Sequence, residues 1–128
     1  MTIADFCLLA AVMLWLGAIG LAKGVGWREY DNARPRAAAF YATGWRSRAL
    51  AAHQNGFEAL PFFTVAVLLA EFRSAPQPLV DGLAVTFVVM RSIYVAAYLS
   101  DKPTLRSAIW TAAFLVNAAL FLTPLARG

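Results

Sequence analysis

RALAAHQNGFEALPFF, residues 48–63, decides how this chain is read. It sets His53, Asn55 and Glu58 at the start of an apolar run that continues to Ala70 and meets no charge between Glu58 and Glu71. Asn55 and Glu58 share one helical face on adjacent turns. Pro61 follows on the next turn, where it cannot donate to the Phe57 carbonyl and so kinks or loosens the helix. Polar groups at the mouth of a membrane helix are costly in lipid and turn toward a protein interior or a wet cavity. The stretch reads as a polar, slightly opened patch at the end of a hydrophobic rod.

Working outward, the rest of the chain agrees. Its 128 residues are 61% hydrophobic and 14% charged, where a soluble domain carries about a quarter charged residues. The apolar residues come in four blocks, at about 3–22, 45–72, 79–99 and 105–125, each long enough to supply the roughly 20 residues a helix needs to cross the hydrocarbon core. The second block exceeds one crossing, so its first turns should project from the membrane. Pro76 with Pro78, and the run from Asp101 to Thr104, mark tight turns, with Thr104 placed to cap the fourth helix. Gly20 and Gly24 form a GxxxG that offers close helix approach. Runs this long without period-two alternation exclude a β-barrel. The N-terminus has Asp5 and no basic flank, which suits a first helix better than a signal peptide. The expectation is an all-α membrane protein: an antiparallel four-transmembrane-helix bundle, one domain over 1–128.

The net charge is +4, and its placement carries more than its sum. Lys23, Arg28, Arg34, Arg36, Arg46 and Arg48 lie in and around the first connection, with Trp27, Tyr30, Tyr41 and Trp45 among them. Basic residues interleaved with aromatics read as an interfacial segment at the headgroups, with Pro35 starting a helical stretch toward the second helix. No nucleic-acid motif accompanies them. Lys102 and Arg106 follow the third helix, while the opposite side has Arg73 and Arg127. The excess of Lys and Arg puts both basic connections in the cytoplasm and both termini outside it. The single Cys7 allows no disulfide within the chain and suggests no metal cluster.

Arg91 is the only charge between Asp81 and Asp101. With Tyr94 and Tyr98 it stacks on one face of the third helix. An arginine inside an apolar span costs about 2.5–3.5 kcal/mol on insertion scales, so it needs an anion, a carbonyl or water, and Glu58 is the expected counter-ion. Arg106 opens the fourth helix against its dipole, which a bound anion or carboxylate would offset; an interfacial arginine in the headgroups is the plainer alternative. His53 has no second ligand at metal spacing and reads as a hydrogen-bonding interfacial histidine. Asn55, Glu58, Arg91, Tyr94, Tyr98 and Arg106 together describe a pocket for a small zwitterionic or polyanionic ligand with an amine. The alternative is a network that only ties helices together.

These residues also resemble a known superfamily. The segment from His53 to Phe63 is similar to the second-helix signature of the MAPEG proteins, membrane-associated proteins in eicosanoid and glutathione metabolism. The segment from Arg91 to Leu99 resembles their third-helix signature, and Leu105-Arg106-Ser107 their fourth-helix start. The resemblance covers nearly the whole chain and is nearest to bacterial-type microsomal glutathione transferase-like members. It implies a homotrimer in a bacterial inner membrane, with glutathione as co-substrate bound between subunits near the cytosolic face. It implies that Asn55 and Glu58 bind the tripeptide, Glu58 at its amine, that Arg91, Tyr94 and Tyr98 hold carboxylates or backbone groups, and that Arg106 stands near the sulfur as the catalytic cation. In one respect the chain departs from glutathione-using members: several carry arginine two positions before the helix-two histidine, where this chain has Ala51. Arg48, one turn earlier, is the candidate substitute. The leading expectation is a glutathione-dependent transferase or peroxidase acting on hydrophobic electrophiles or lipid hydroperoxides delivered through the membrane. The alternative is a non-catalytic member that binds a lipid or assists a partner complex.

Overall fold

The computed structural model describes residues 1–42 and 44–126; Arg127, counted above on the outer side, lies outside them. Four long helices follow one another: α1 Ile3–Val25, α2 Gly44–Phe72, α3 Gln77–Leu99 and α4 Pro103–Leu122. Single 3₁₀ turns occupy Ala38–Tyr41 and Thr123–Ala126. There is no strand among the described residues, and all four helices are long and apolar enough to cross a membrane. α2 and α3 form the centre: α1 packs on both, and so does α4.

The core is built of small residues. Ala4, Ala11, Ala66, Ala70, Ala84 and Ala113 are buried around a stacked pair, Phe63 and Phe87, with ring centroids 4.2 Å apart. Large apolar side chains such as Leu9, Met13, Leu68, Phe72, Val89 and Leu115 point outward. This inverts the soluble pattern and suits a lipid solvent, where small side chains let helices approach and large ones gain nothing by hiding.

Local chemistry sets the helix ends. Thr2 and Asp5 form a reciprocal capping box on α1. The Asp81 carboxylate adds a long-range cap, accepting from the Ala4 N–H at 2.9 Å. Glu71 accepts from the Thr2 hydroxyl and the Gln77 amide, both at 2.9 Å, so the start of α1 is lashed to the α2–α3 turn. The two tight turns share one geometry. After α2, Ser74 takes φ 49° while Ala75 N–H returns to the Ala70 carbonyl. After α3, Asp101 takes φ 56° while Lys102 N–H returns to the Ala97 carbonyl. Both are Schellman closures with a non-glycine residue in the left-handed position.

Three local expectations are corrected. Thr104 does not cap α4; the helix opens with Pro103 behind Lys102 and has no side-chain cap, because proline's fixed φ and missing N–H suit the first helical position. Gly20 and Gly24 do not mediate close approach within the subunit: a Cβ built on either would meet nothing within 4 Å. Pro35 does not begin a helix; it sits in the turns before Ala38–Tyr41. Pro61 is accommodated inside α2, which runs unbroken around it.

Candidate functional site

The buried face of α3 runs through Val80, Ala84, Phe87, Arg91, Tyr94 and Ala97. It holds Arg91 at 6% exposure and Tyr94 at 4%. The Arg91 guanidinium lies 4.2 Å from the Tyr94 ring centroid. Tyr94 meets Tyr98 edge-on with centroids 5.7 Å apart. α4, packed along α3, sets the Arg106 guanidinium 4.4 Å over Tyr98. Arg91, Tyr94, Tyr98 and Arg106 therefore form one column in which a cation closes each end. Each cation–ring contact stabilises by about 0.5–2 kcal/mol depending on how dry it is.

Arg48 is placed differently. Its Nε donates to the Leu99 carbonyl at 3.3 Å, so it serves the C-terminal end of α3, where the helix dipole favours a cation.

The expected Arg91–Glu58 pair is not formed. Among the described residues the ion pairs are Arg34–Asp31 at 3.1 Å and Arg46–Glu29 at 2.6 Å. The reason is helical phase. The buried face of α2 runs through Ala49, Ala52, Phe63, Ala66, Val67 and Ala70. Position 59 continues that face, and Glu58 is rotated from it by about 100°. Glu58 is exposed on the subunit and accepts from Asn55 Nδ2 at 3.4 Å.

Glu58 and Arg91 nevertheless face one space. A cavity of about 160 Å³ between α2, α3 and α4 is lined by Asn55, Glu58, Arg91 and Asn117, with walls from Phe62, Phe87, Trp110 and Phe114. Asn117 escaped the sequence reading. It is 2% exposed, and its Oδ1 and that of Asn55 are buried with no hydrogen-bond partner. The signal was available: an amide inside the uncharged run 107–126, where a polar side chain marks an interior or wet site. Two orphaned acceptors beside a buried guanidinium make a cavity that can take a ligand carrying both donors and an acidic group.

A second cavity, about 790 Å³, lies between α1, α2 and the first connection. Here His53 stacks on Trp15, centroids 5.2 Å apart and planes 6° apart. Its Nδ1 lies 2.9 Å from the Trp15 carbonyl. A carbonyl only accepts, so Nδ1 carries the proton. Gly56 lets Trp15 lie against α2, since a Cβ there would stand 3.0 Å from Trp15 Cδ1. Replacing Gly56 with leucine should force the stack apart and destabilise the subunit by about 1–3 kcal/mol. A lowered thermal midpoint and a changed tryptophan spectrum in detergent would register it; an unchanged midpoint would mean that α1 is not held here.

The connection above this cavity is pinned. Arg46 bonds Glu29 and lies 4.7 Å from the Phe40 ring, and the Tyr41 hydroxyl donates to the Pro35 carbonyl at 3.2 Å. The Arg46 hydrogen bond, aided by its charge, holds the Glu29 carboxyl below the usual range.

With this geometry in place, the comparisons add one finding. A model described as the MAPEG family matches residues 1–126. No curated protein and no solved structure matches the chain.

Proposed function

Because the chain belongs to the MAPEG family, we propose that this multi-pass membrane protein is a glutathione-dependent transferase or peroxidase acting on hydrophobic electrophiles or lipid hydroperoxides. The observation that carries the reading is the column from Arg91 to Arg106 beside a cavity holding Glu58, Asn55 and Asn117. A tripeptide with two carboxylates, an amine and a thiol matches that set. Its ammonium goes to Glu58 and Asn55, its acidic groups to Arg91 and the tyrosine hydroxyls, and its sulfur to Arg106. A cation at the sulfur favours thiolate over thiol, and thiolate is the nucleophile. In conjugation the sulfur bonds to an electrophilic carbon and the leaving group departs with its electron pair. The apolar substrate arrives sideways from lipid, past the aromatic walls.

The working assembly in this proposal is a homotrimer in a bacterial inner membrane, with the basic connections in the cytoplasm and the termini outside. Cysteines introduced at Asn32 and Gln77 should label from opposite faces, position 32 from the cytoplasm. Labelling of position 32 from the outer face alone would reverse the orientation.

A glutathione titration on detergent-solubilised protein tests the function directly. Heat of binding or a thermal shift at millimolar glutathione is expected, and neither would be seen if the reading is wrong. Glu58→Gln should weaken that binding about tenfold or more, the scale of a lost charge-assisted hydrogen bond. It should leave thermal stability nearly unchanged, since Glu58 holds no cation within the subunit. Unaltered affinity would make Glu58 an idle rim residue.

One observation favours the non-catalytic alternative. Position 51 is alanine, and Arg48 is engaged with the Leu99 carbonyl. On that reading the same column is a structural network in a protein that binds lipid or assists a partner, and the titration stays flat.

A further inference from the structure

The tripeptide groups placed above leave Asn117 without a contact, although it lines the same cavity as Asn55, Glu58 and Arg91. Asn117 is 2% exposed and its Oδ1 has no hydrogen-bond partner. An amide buried and unpaired in a membrane span is destabilising, so its presence calls for a partner that the subunit does not supply. A half-turn about its last side-chain bond exchanges oxygen and nitrogen without altering the shape, so either end can serve the cavity. The cavity's formal charges cancel, since Glu58 brings one negative charge and Arg91 one positive. A lone anion would meet Glu58 and a lone cation would meet Arg91, so a neutral zwitterion suits the space better than either.

The count of acceptors narrows the zwitterion. An ammonium carries three N–H donors. Glu58 offers a carboxylate, and Asn55 turns its Nδ2 to Glu58 at 3.4 Å, leaving its Oδ1 unpartnered. Asn117 Oδ1 makes the third acceptor. Given the glutathione function proposed above, we propose that Asn117 is a specificity-determining residue: its amide oxygen accepts the third N–H of the tripeptide's α-ammonium, so the site admits thiols with a free α-amino-acid head and rejects those without one. Arg91, which has no ion pair among the described residues, takes the carboxylate of the same head. The cavity of about 160 Å³ is close to the roughly 150 Å³ that admits a six-atom ring. An α-carbon with its ammonium, its carboxylate and one methylene is also six heavy atoms. From Arg91 to Tyr98, on which Arg106 rests, is seven residues of α3, a rise of about 10 Å. The γ-linked arm, extended between its α-carbon and the cysteine sulfur, covers that rise. A head without its ammonium would leave the acceptors buried and unpaired, which is how a hydrogen-bonding site rejects an analogue.

The test is calorimetric titration of the full chain in detergent with two probes, glutathione and its deaminated analogue glutaryl-cysteinyl-glycine, which keeps the thiol and both carboxylates. Wild type should prefer glutathione by about tenfold or more. Asn117→Leu removes the amide and fills its place. It should weaken glutathione about tenfold and leave the analogue's affinity as it was, so the preference contracts by the same factor. Asn117→Ala, which cannot overpack, should give the same pattern. The thermal midpoint of the leucine variant should hold or rise, because an unpaired amide leaves the apolar interior. Equal losses for both probes would make Asn117 a packing residue and overturn the proposal. So would a wild type that binds the two probes alike, or variants that bind glutathione as wild type does. A wild type that binds neither probe would end the glutathione function itself, whereas unaltered binding in the variants of a wild type that does bind removes Asn117 alone.

Discussion

Arg106→Ala should lower turnover by about 10²-fold, the scale on which a preorganised donor to a developing or resident anion contributes to catalysis. On the proposed function, glutathione affinity should fall far less, because Glu58, Asn55, Arg91 and the tyrosines would still hold the tripeptide. The cause lies at the head of the column. The Arg106 guanidinium rests on the Tyr98 ring, which holds it in place without neutralising it, so its charge remains available to a thiolate. Removing the cation raises the thiol pKa, and the pH–rate profile should move to higher pH. Arg106→Lys should recover part of the rate, since charge returns without the planar fork. Rates with a chloronitrobenzene electrophile across pH, for wild type and both variants, decide the matter. Superimposable profiles would remove Arg106 from the mechanism and leave it a headgroup contact.

Arg91→Met should move stability and binding in opposite directions. Arg91 is buried in an apolar span, and its contact within the subunit is an aromatic ring rather than a carboxylate. A ring repays only part of the insertion cost of roughly 2.5–3.5 kcal/mol. Methionine keeps much of the volume and sheds the charge. A gain of about 1–3 kcal/mol in subunit stability is expected, by analogy with buried charges replaced by apolar side chains. Glutathione affinity should drop by about 10²-fold or more as a desolvated charge pair is lost. Unfolding in mixed micelles and calorimetric titration measure the two effects. A variant that is both less stable and fully able to bind would mean that Arg91 has a structural anion outside the subunit and is not a ligand residue.

Those forecasts show which features the sequence carried. The four helices were legible because each holds a mostly apolar block of bilayer length. The Arg91, Tyr94 and Tyr98 stripe was legible because spacings of three and four fix one face of α3 regardless of its neighbours. What depended on the rotation of one helix against another was not. Glu58 is the one carboxylate within an otherwise uncharged span and so the expected partner of Arg91, yet the buried face of α2 is set by its alanines and Phe63, which leaves Glu58 turned toward the rim. Asn117 was passed over for the opposite reason. It stands alone in sequence, and only the packing of α2 and α3 against α4 gives it Asn55 and Arg91 as company. The Trp15 and His53 stack joins residues 38 positions apart, and no local pattern announces it. Gly20 and Gly24 mark the limit of motif reading, since the spacing was right and no helix of the same subunit packs against them.

The lashing at the start of α1 has a consequence for biogenesis. The Ala4 N–H and the Thr2 hydroxyl find their partners at Asp81 and Glu71, 77 and 69 residues later in the chain. At ribosomal speeds of about 5–20 residues per second, those partners are synthesised some 3–15 s after the start of the first helix. During that interval α1 has its own capping box but lacks its long-range cap. The first helix to enter the bilayer is thus among the last to be fastened. A chain stopped before Asp81 would lack the cap that its carboxylate gives the Ala4 N–H.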